Sequence, residues 1–203
     1  MSSELSMPAR GRPKGDKRAR TRAALLQAAR ALIRERGHER TTLQAVAERA
    51  GMTSGAIYGN FKNRDDLFIA LAEVYWAPVR PVIAPGSSFA EKMRALAEAT
   101  IAAIPERRDA AYGRLSGMAY AMTHEEMRAQ VQAVTAKSFA EGAAWLAAAA
   151  DEGGLPMPAE QLVVVIHALM EGLLYQRFMT PDLVPDAVFY SAFAALAAGP
   201  SPT

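Results

Sequence analysis

Apolar residues recur at three-to-four spacing along most of this chain, and no segment shows sustained strand-like alternation. The first such segment carries Leu25, Ala28, Ala29, Leu32 and Ile33 on one face and Arg30, Arg34 and Glu35 on others, with Gly37 as its stop. Thr42 suits the N-cap of a second, short helix whose stripe is Leu43, Val46, Ala47 and Ala50 and whose end is Gly51. Thr53 or Ser54 caps a third, in which Ile57 and Phe61 lie one turn apart. A fourth starts at Arg64, carries Leu67, Phe68, Leu71 and Val74, and is ended by Pro78 and Pro81.

The stretch PVIAPGSS, residues 81–88, is rich in Pro, Gly and Ser and reads as the clearest break along the chain. Helical patterning resumes beyond it. Ser88 with Glu91 makes a capping box for a helix to about Ile104, Pro105 suits the first turn of the next, and Thr123 with Glu126 makes another capping box. The alanine-rich helix predicted from there runs nearly thirty residues to the turn GGLPMP. Residues 159–179 form a strongly apolar helix, and Pro185 opens a last one to about Ala198. Short apolar runs such as LVVVI are ambiguous by periodicity, yet the economical fold class is all-α. Residues 1–16 are the exception: Pro8, Gly11, Pro13 and Gly15 break helices, and the segment reads as a flexible basic arm.

Two short helices joined by a sharp turn, LQAVAERAGMTSGAIYGNFK over residues 43–62, meet the requirements of a helix-turn-helix. Ile57 and Phe61 face inward beside Val46 and Ala47, which leaves Ser54, Gly55, Ala56, Tyr58 and Asn60 nearer the outer face. Gly55 and Gly59 together cost about 2 kcal/mol relative to alanine in a helix interior, which close approach to DNA would explain. An ordinary helical hairpin carrying two glycines is the competing account.

Charge supports the first account. The net charge of +2 conceals a division. Residues 1–76 hold 14 Lys and Arg against 8 Asp and Glu, and the remainder holds 9 against 13, so a basic front half precedes an acidic back half. A chain of 203 residues, 51% hydrophobic, can bury an ordinary core without staples. Zero cysteines exclude disulfides and cysteine-ligated zinc and suit a reducing compartment. The N-terminus has no apolar signal region, and no uninterrupted apolar stretch approaches the roughly 18–20 residues of a membrane span, so a cytoplasmic location without membrane attachment is expected.

The run from ALLQAARALIRERG through AERAGMTSGAIYGNFKNRDDLF resembles the N-terminal domain of the TetR family of bacterial transcriptional regulators. The helix-one register ending at Gly37, the Thr41-Thr42 pair and the spacing from Tyr58 to Phe61 and Lys62 carry the likeness over roughly 50 residues, while the helical remainder is compatible with the family's variable ligand-binding and dimerisation domain. Gly59 departs from it, because members often carry a bulky or polar residue there. The resemblance implies that Thr42, Thr53, Tyr58 and Lys62 contact phosphates and that Ser54, Gly55, Ala56 and Asn60 lie near base edges of double-stranded operator DNA. Hydroxyls and a lysine suit backbone contacts. Asn60 can hydrogen-bond adenine or cap its own helix, and both readings stand.

Within the arm, Arg10-Gly11-Arg12-Pro13 resembles an AT-hook core that lays Arg10 and Arg12 into a narrow minor groove, with a basic solubilising tail as the alternative. Three segments follow: arm 1–16, helix-turn-helix domain 17–63 with three helices, and a helical bundle 64–203 for effector binding and dimerisation.

Operators read by a helix-turn-helix are usually read twice, so a homodimer is expected. The apolar helix at 159–179, crossing closely at Gly172, and that at 185–198 are its candidate four-helix interface, against the alternative of a helix buried within a monomer. Met93, Tyr112, Met118, Met122, Phe139 and Trp145 are candidate walls of an effector cavity, with Arg114, His167 or Glu171 as polar anchors, although such residues also fill cores. His167 and Glu171 are one turn apart, but no third metal ligand is evident and no cofactor is expected.

The expected function is a repressor released from its operator by a small molecule. An activator or an effector-independent regulator would share the same front half. Nonspecific DNA packaging would show little preference between operator and random DNA. An enzyme is disfavoured, since no phosphate loop, zinc motif or nucleophile elbow is present and His38, His124 and His167 have no sequence-adjacent catalytic companions.

Overall fold

The computed structural model describes residues 14–150 and 154–198. Among the described residues nine α-helices follow one another: α1 (Lys14–Arg36), α2 (Leu43–Arg49), α3 (Ser54–Tyr58), α4 (Arg64–Tyr75), α5 (Phe89–Ala102), α6 (Ile104–Thr123), α7 (Glu125–Ala149), α8 (Ala159–Met179) and α9 (Asp186–Ala197). No β-strand occurs among the described residues, and the fold is all-α. The chain divides into two compact units, Met1–Ala70 and Leu71–Thr203, and the division falls inside α4 rather than in the 81–88 stretch or ahead of Arg64.

The first unit is built on the stripes the sequence displays. Leu25, Ala29 and Ile33 of α1, Val46 and Ala47 of α2, Ile57 of α3 and Leu67 of α4 are buried, with Phe61 among them. Local chemistry fixes the ends of these helices. Gly37 at φ 80° and Gly51 at φ 64° take the left-handed conformation that closes α1 and α2, a region in which a Cβ is strained. Past Gly51 the Met52 amide bonds back to the Ala47 carbonyl at 2.8 Å. Thr41 is fully buried, and its hydroxyl donates to the Gly37 carbonyl at 2.8 Å, so it serves the core beside the exposed Thr42. α1 begins at Lys14, inside the segment expected to be a free arm, while Arg10 and Arg12 lie outside the described residues.

The second unit is an all-helical bundle. Phe89, Met93 and Leu96 of α5, Leu146 of α7, Leu162, Ile166 and Leu174 of α8, and Phe189 and Phe193 of α9 share one core. The Ser88 and Glu91 capping box is formed, and Pro105 sits in the first turn of α6. The expected box of Thr123 and Glu126 is not. Thr123 is the last residue of α6, where its hydroxyl donates to the Tyr120 carbonyl at 3.0 Å, and α7 starts after His124 and runs 25 residues. A hydroxyl bonded within its own last turn is withdrawn from capping the next helix.

Within the chain, the glycine that a close helix crossing requires is Gly142. A Cβ at Gly142 would stand 2.6 Å from Val163 Cγ2, so α7 and α8 meet there only because the side chain is absent. A Cβ at Gly172 would meet nothing within 4 Å. Along α8 only Leu162, Ile166 and Leu174 are buried, and Val164, Val165 and Met179 are exposed, so α8 is not a helix buried all round within one chain. By length and composition α8 is the one helix among the described residues apolar enough to cross a bilayer, but Glu171 stands in its interior.

Candidate DNA interface and effector cavity

The helix-turn-helix is held from within by Ile57 and Phe61, and its outer side is small and polar. Thr42 accepts a hydrogen bond from the Ala45 amide at 3.2 Å and Thr53 one from the Ala56 amide at 3.3 Å. Each hydroxyl caps its helix with an oxygen lone pair and keeps its proton for an outside acceptor, which is the geometry a phosphate needs. Ser54, Gly55 and Lys62 are exposed, Tyr58 is 61% exposed and Ala56 is half-buried.

The two glycines differ. A Cβ at Gly55 would find only Thr53 Oγ1, at an ordinary 3.8 Å, whereas one at Gly59 would press on the Gly55 carbonyl at 3.1 Å. Gly59 is therefore answered inside the chain. Nothing among the described residues requires Gly55.

Asn60 uses its side-chain amide to cap its own helix, donating to the Ala56 carbonyl at 2.8 Å, while its Oδ1 is buried without a partner. Sequence reasoning passed over Arg18 and Arg22. They donate to the carbonyls of Gly59 at 3.4 Å and Asn60 at 3.1 Å, and the Arg22 guanidinium lies 4.6 Å from the Phe61 ring centre. Two cations thus answer the free carbonyls after α3, which orients the helix from its C-terminal end. Their place in a basic run on α1 was the available signal.

His38 is buried in this unit edge-on to Phe68, with ring centres 4.5 Å apart. Burial, with the nearby Arg64 charge, pushes its pKa down from 6.5 to about 4. It is a neutral core residue at pH 7.

In the second unit a cavity of about 410 Å³ lies between α7, α8 and residues 78–81. Phe139 and Trp145 of α7 and His167 of α8, three of the residues singled out in the sequence, line it. The 78–81 segment supplies Pro78 and Pro81, which had read only as a helix stop, together with Val79 and Arg80, which the sequence had not singled out. Four of the proposed wall residues are not brought to it. Met93 is wholly buried in the helical core, while Tyr112, Met118 and Met122 on α6 are 54%, 39% and 76% exposed. Methionines and aromatics at helical spacing do not separate core, wall and surface in one dimension.

Next to the lining residue His167, Arg114 and Glu171 form a polar cluster with Trp76, which the sequence had not singled out. Glu171 Oε1 accepts from Arg114 Nη2 at 2.8 Å, from Arg114 Nε at 3.3 Å and from Trp76 Nε1 at 3.0 Å. His167 Nε2 lies 3.7 Å from the same oxygen. Burial lowers the His167 pKa below its ordinary 6.5 against the pull of Glu171, with Arg114 and Arg107 assisting, so its contact with Glu171 at pH 7 is not an ion pair.

Arg107, buried and missed in the sequence, donates to the Ala77 carbonyl and covers the Trp76 ring at 4.6 Å from its centre. Tyr175 stacks on the Trp76 ring, with ring centres 5.9 Å apart at 14°. Its hydroxyl is buried, and burial first, then the Glu171 charge, pushes its pKa to about 12 against the opposing pull of Arg114 and Arg107. Among the described residues no group of three His, Cys, Asp or Glu could hold a metal ion.

A buried anchor pair under an exposed, glycine-bearing short helix defines a DNA-binding regulator of the helix-turn-helix class. Comparison with known proteins makes the class specific: residues 25–71 match the model of bacterial regulatory proteins of the tetR family, and residues 89–199 match that of the BetI-type transcriptional repressor C-terminal domain. The chain belongs to the TetR family of DNA-binding transcriptional regulators, and so to a family of regulators rather than enzymes. It is similar to the transcriptional repressor AcnR of Corynebacterium efficiens, at 29% identity over 162 residues, which covers 79% of this chain and 83% of that one. The GusR structure from Salmonella enterica matches its fold with a TM-score of 0.69 at 18% identity, over 88% of this chain and 96% of that one. The SmeT–triclosan complex matches with a TM-score of 0.56 at 22% identity, over 88% and 90%.

Proposed function

We propose that this protein is a cytoplasmic, homodimeric repressor that leaves its operator when a small molecule enters the cavity between α7, α8 and residues 78–81. One observation carries the reading: the cavity wall includes Val79, Arg80 and Pro81, which follow directly on α4 through the Trp76 and Ala77 latch, and α4 is the helix that enters from the helix-turn-helix unit. An occupant that favours another position of this segment shifts the population away from the DNA-binding geometry, by no more than its difference in affinity for the two states. The likeness to AcnR, a repressor, and to SmeT, solved with triclosan, supports the sign and the trigger.

In this reading Thr42, Thr53, Tyr58 and Lys62 hold phosphates, and Ser54, Gly55 and Ala56 face base edges. Asn60 reaches a base only by giving up its bond to Ala56, and otherwise remains a cap. Arg10 and Arg12 enter the flanking minor groove. Two copies associate through the outward faces of α8 and α9, where Val164, Val165, Ala168 and Gly172 on α8 and Ala187, Ala194 and Ala195 on α9 are exposed in the single chain, a small-residue surface suited to a four-helix contact. Footprinting on the DNA flanking this protein's own coding region, with sedimentation of the free protein, tests the proposal. A protected palindrome and a dimer are expected; a monomer that protects no site there or elsewhere in a genomic selection overturns it.

A further inference from the structure

The chemistry of the cavity wall narrows the class of molecule it can take, and this step rests on the reading of the cavity as the effector site. Phe139, Trp145, Ile166 and Met170 give an aromatic and aliphatic lining. The charges nearby are already answered. Arg80 and Glu141 line the cavity 3.8 Å from each other, with side chains 81% and 54% exposed, so this pair belongs to the solvent edge. Outside the lining but next to His167, Glu171 is occupied by Arg114 and Trp76, and Arg107 donates to the Ala77 carbonyl.

Arg80 and Glu141 are the only charged residues of the lining, so a cation or an anion would have to break that exposed pair, and elsewhere in the cavity it would lose its hydration among apolar side chains with no charge to replace it. A neutral molecule avoids both losses. His167 supplies one polar contact, its ring held edge-on to Phe139 at 5.2 Å between centres. The volume of about 410 Å³ lies near the lower end of ligand pockets, roughly 300–1,000 Å³, which suits one or two rings.

We infer that the effector is a neutral, largely apolar molecule of one or two rings that presents a single hydroxyl or carbonyl group to His167. Calorimetric titration of the full chain with 2-naphthol, sodium 2-naphthoate and 2-naphthyltrimethylammonium tests the charge preference. 2-Naphthol is expected to bind at least tenfold tighter than either ion, and His167→Phe to remove most of its advantage over 2-methylnaphthalene. Met170→Trp and, at the half-buried wall position, Ser138→Phe fill the cavity and each should weaken 2-naphthol at least tenfold, with circular dichroism confirming the helical fold.

The results separate the two claims. An ion that binds as tightly as 2-naphthol and is blocked by both fillers overturns the ligand class and leaves the cavity reading intact. Undiminished binding of 2-naphthol to both folded fillers places the site elsewhere and overturns the cavity reading with it. Failure of all three probes to bind the parent chain overturns the ligand class.

Discussion

The Trp76 indole donates to Glu171 across 95 residues of sequence at 3.0 Å, and so ties the first residue after α4 to the middle of α8. The same carboxylate oxygen holds Arg114, so the bond is charge-assisted and part-buried. Trp76→Phe removes the donor and leaves the Arg114 pair in place. A loss of about 1–2 kcal/mol in urea unfolding is expected, in the range for hydrogen bonds to charged groups. If this contact relays occupancy of the cavity, effector affinity by calorimetry should stay within threefold of the parent while effector-driven release from DNA in gel shift weakens. Unchanged release would leave Trp76 a purely structural residue.

Gly55 gives a prediction with opposite signs for stability and function. No neighbour within the chain would resist a Cβ there, since the nearest atom is Thr53 Oγ1 at 3.8 Å. Gly55→Ala should therefore stabilise the protein by about 0.5–1 kcal/mol through helix propensity and the unfolded-state entropy it removes. The same methyl group would stand on the exposed side of α3, and binding to the operator should fall at least tenfold. A protein that is more stable and binds operator unchanged would show that DNA does not approach this position. Gly59→Ala lacks this signature, because its Cβ meets the Gly55 carbonyl at 3.1 Å and stability itself should fall.

Much of this unit was legible in the sequence because its determinants are local. Thr42 and Thr53 cap the helices they precede, as Ser88 does in the second unit, and Ile57 and Phe61 are buried at the spacing that marks one face. The cavity was legible only in part. Phe139, Trp145 and His167 lie on it, but Met93, with the same apolar character, fills the core, and nothing in helical spacing separates the two. Trp76 and Arg107 could not be read at all, since their partners lie 95 and 30 residues away and no local rule pairs them. The Thr123 box failed for a different reason: its pattern was present, but its hydroxyl closes the preceding helix.

Acid should weaken the first unit through His38. Its folded pKa of about 4 lies below the ordinary 6.5, so between these values the unfolded chain binds a proton that the folded chain refuses. The stabilisation is fully present above pH 6.5 and is lost as pH falls toward 4, up to about 3 kcal/mol at roughly 1.4 kcal/mol per unit. Urea-unfolding midpoints of the parent and His38→Leu between pH 7.5 and 4.5 isolate this term from the carboxylates common to both. The parent should lose stability faster than the variant over that range, and parallel curves would mean that His38 titrates normally.

Lys62 tests the phosphate contacts separately from base reading. It is exposed just beyond Phe61, and its backbone amide is fixed by the Asp66 carboxylate at 3.0 Å, so the start of its side chain is anchored while the ammonium is directed by whatever anion approaches. A lysine that neutralises one phosphate releases about 0.9 counterion, which enters the logarithmic dependence of binding on salt. Lys62→Ala should lower affinity for operator and random DNA by similar factors and reduce the salt slope by about 1 per copy of the chain bound. Filter binding from 50 to 300 mM potassium chloride on both DNAs measures the two together. A variant that loses operator affinity alone, with its slope intact, would assign Lys62 to base recognition instead.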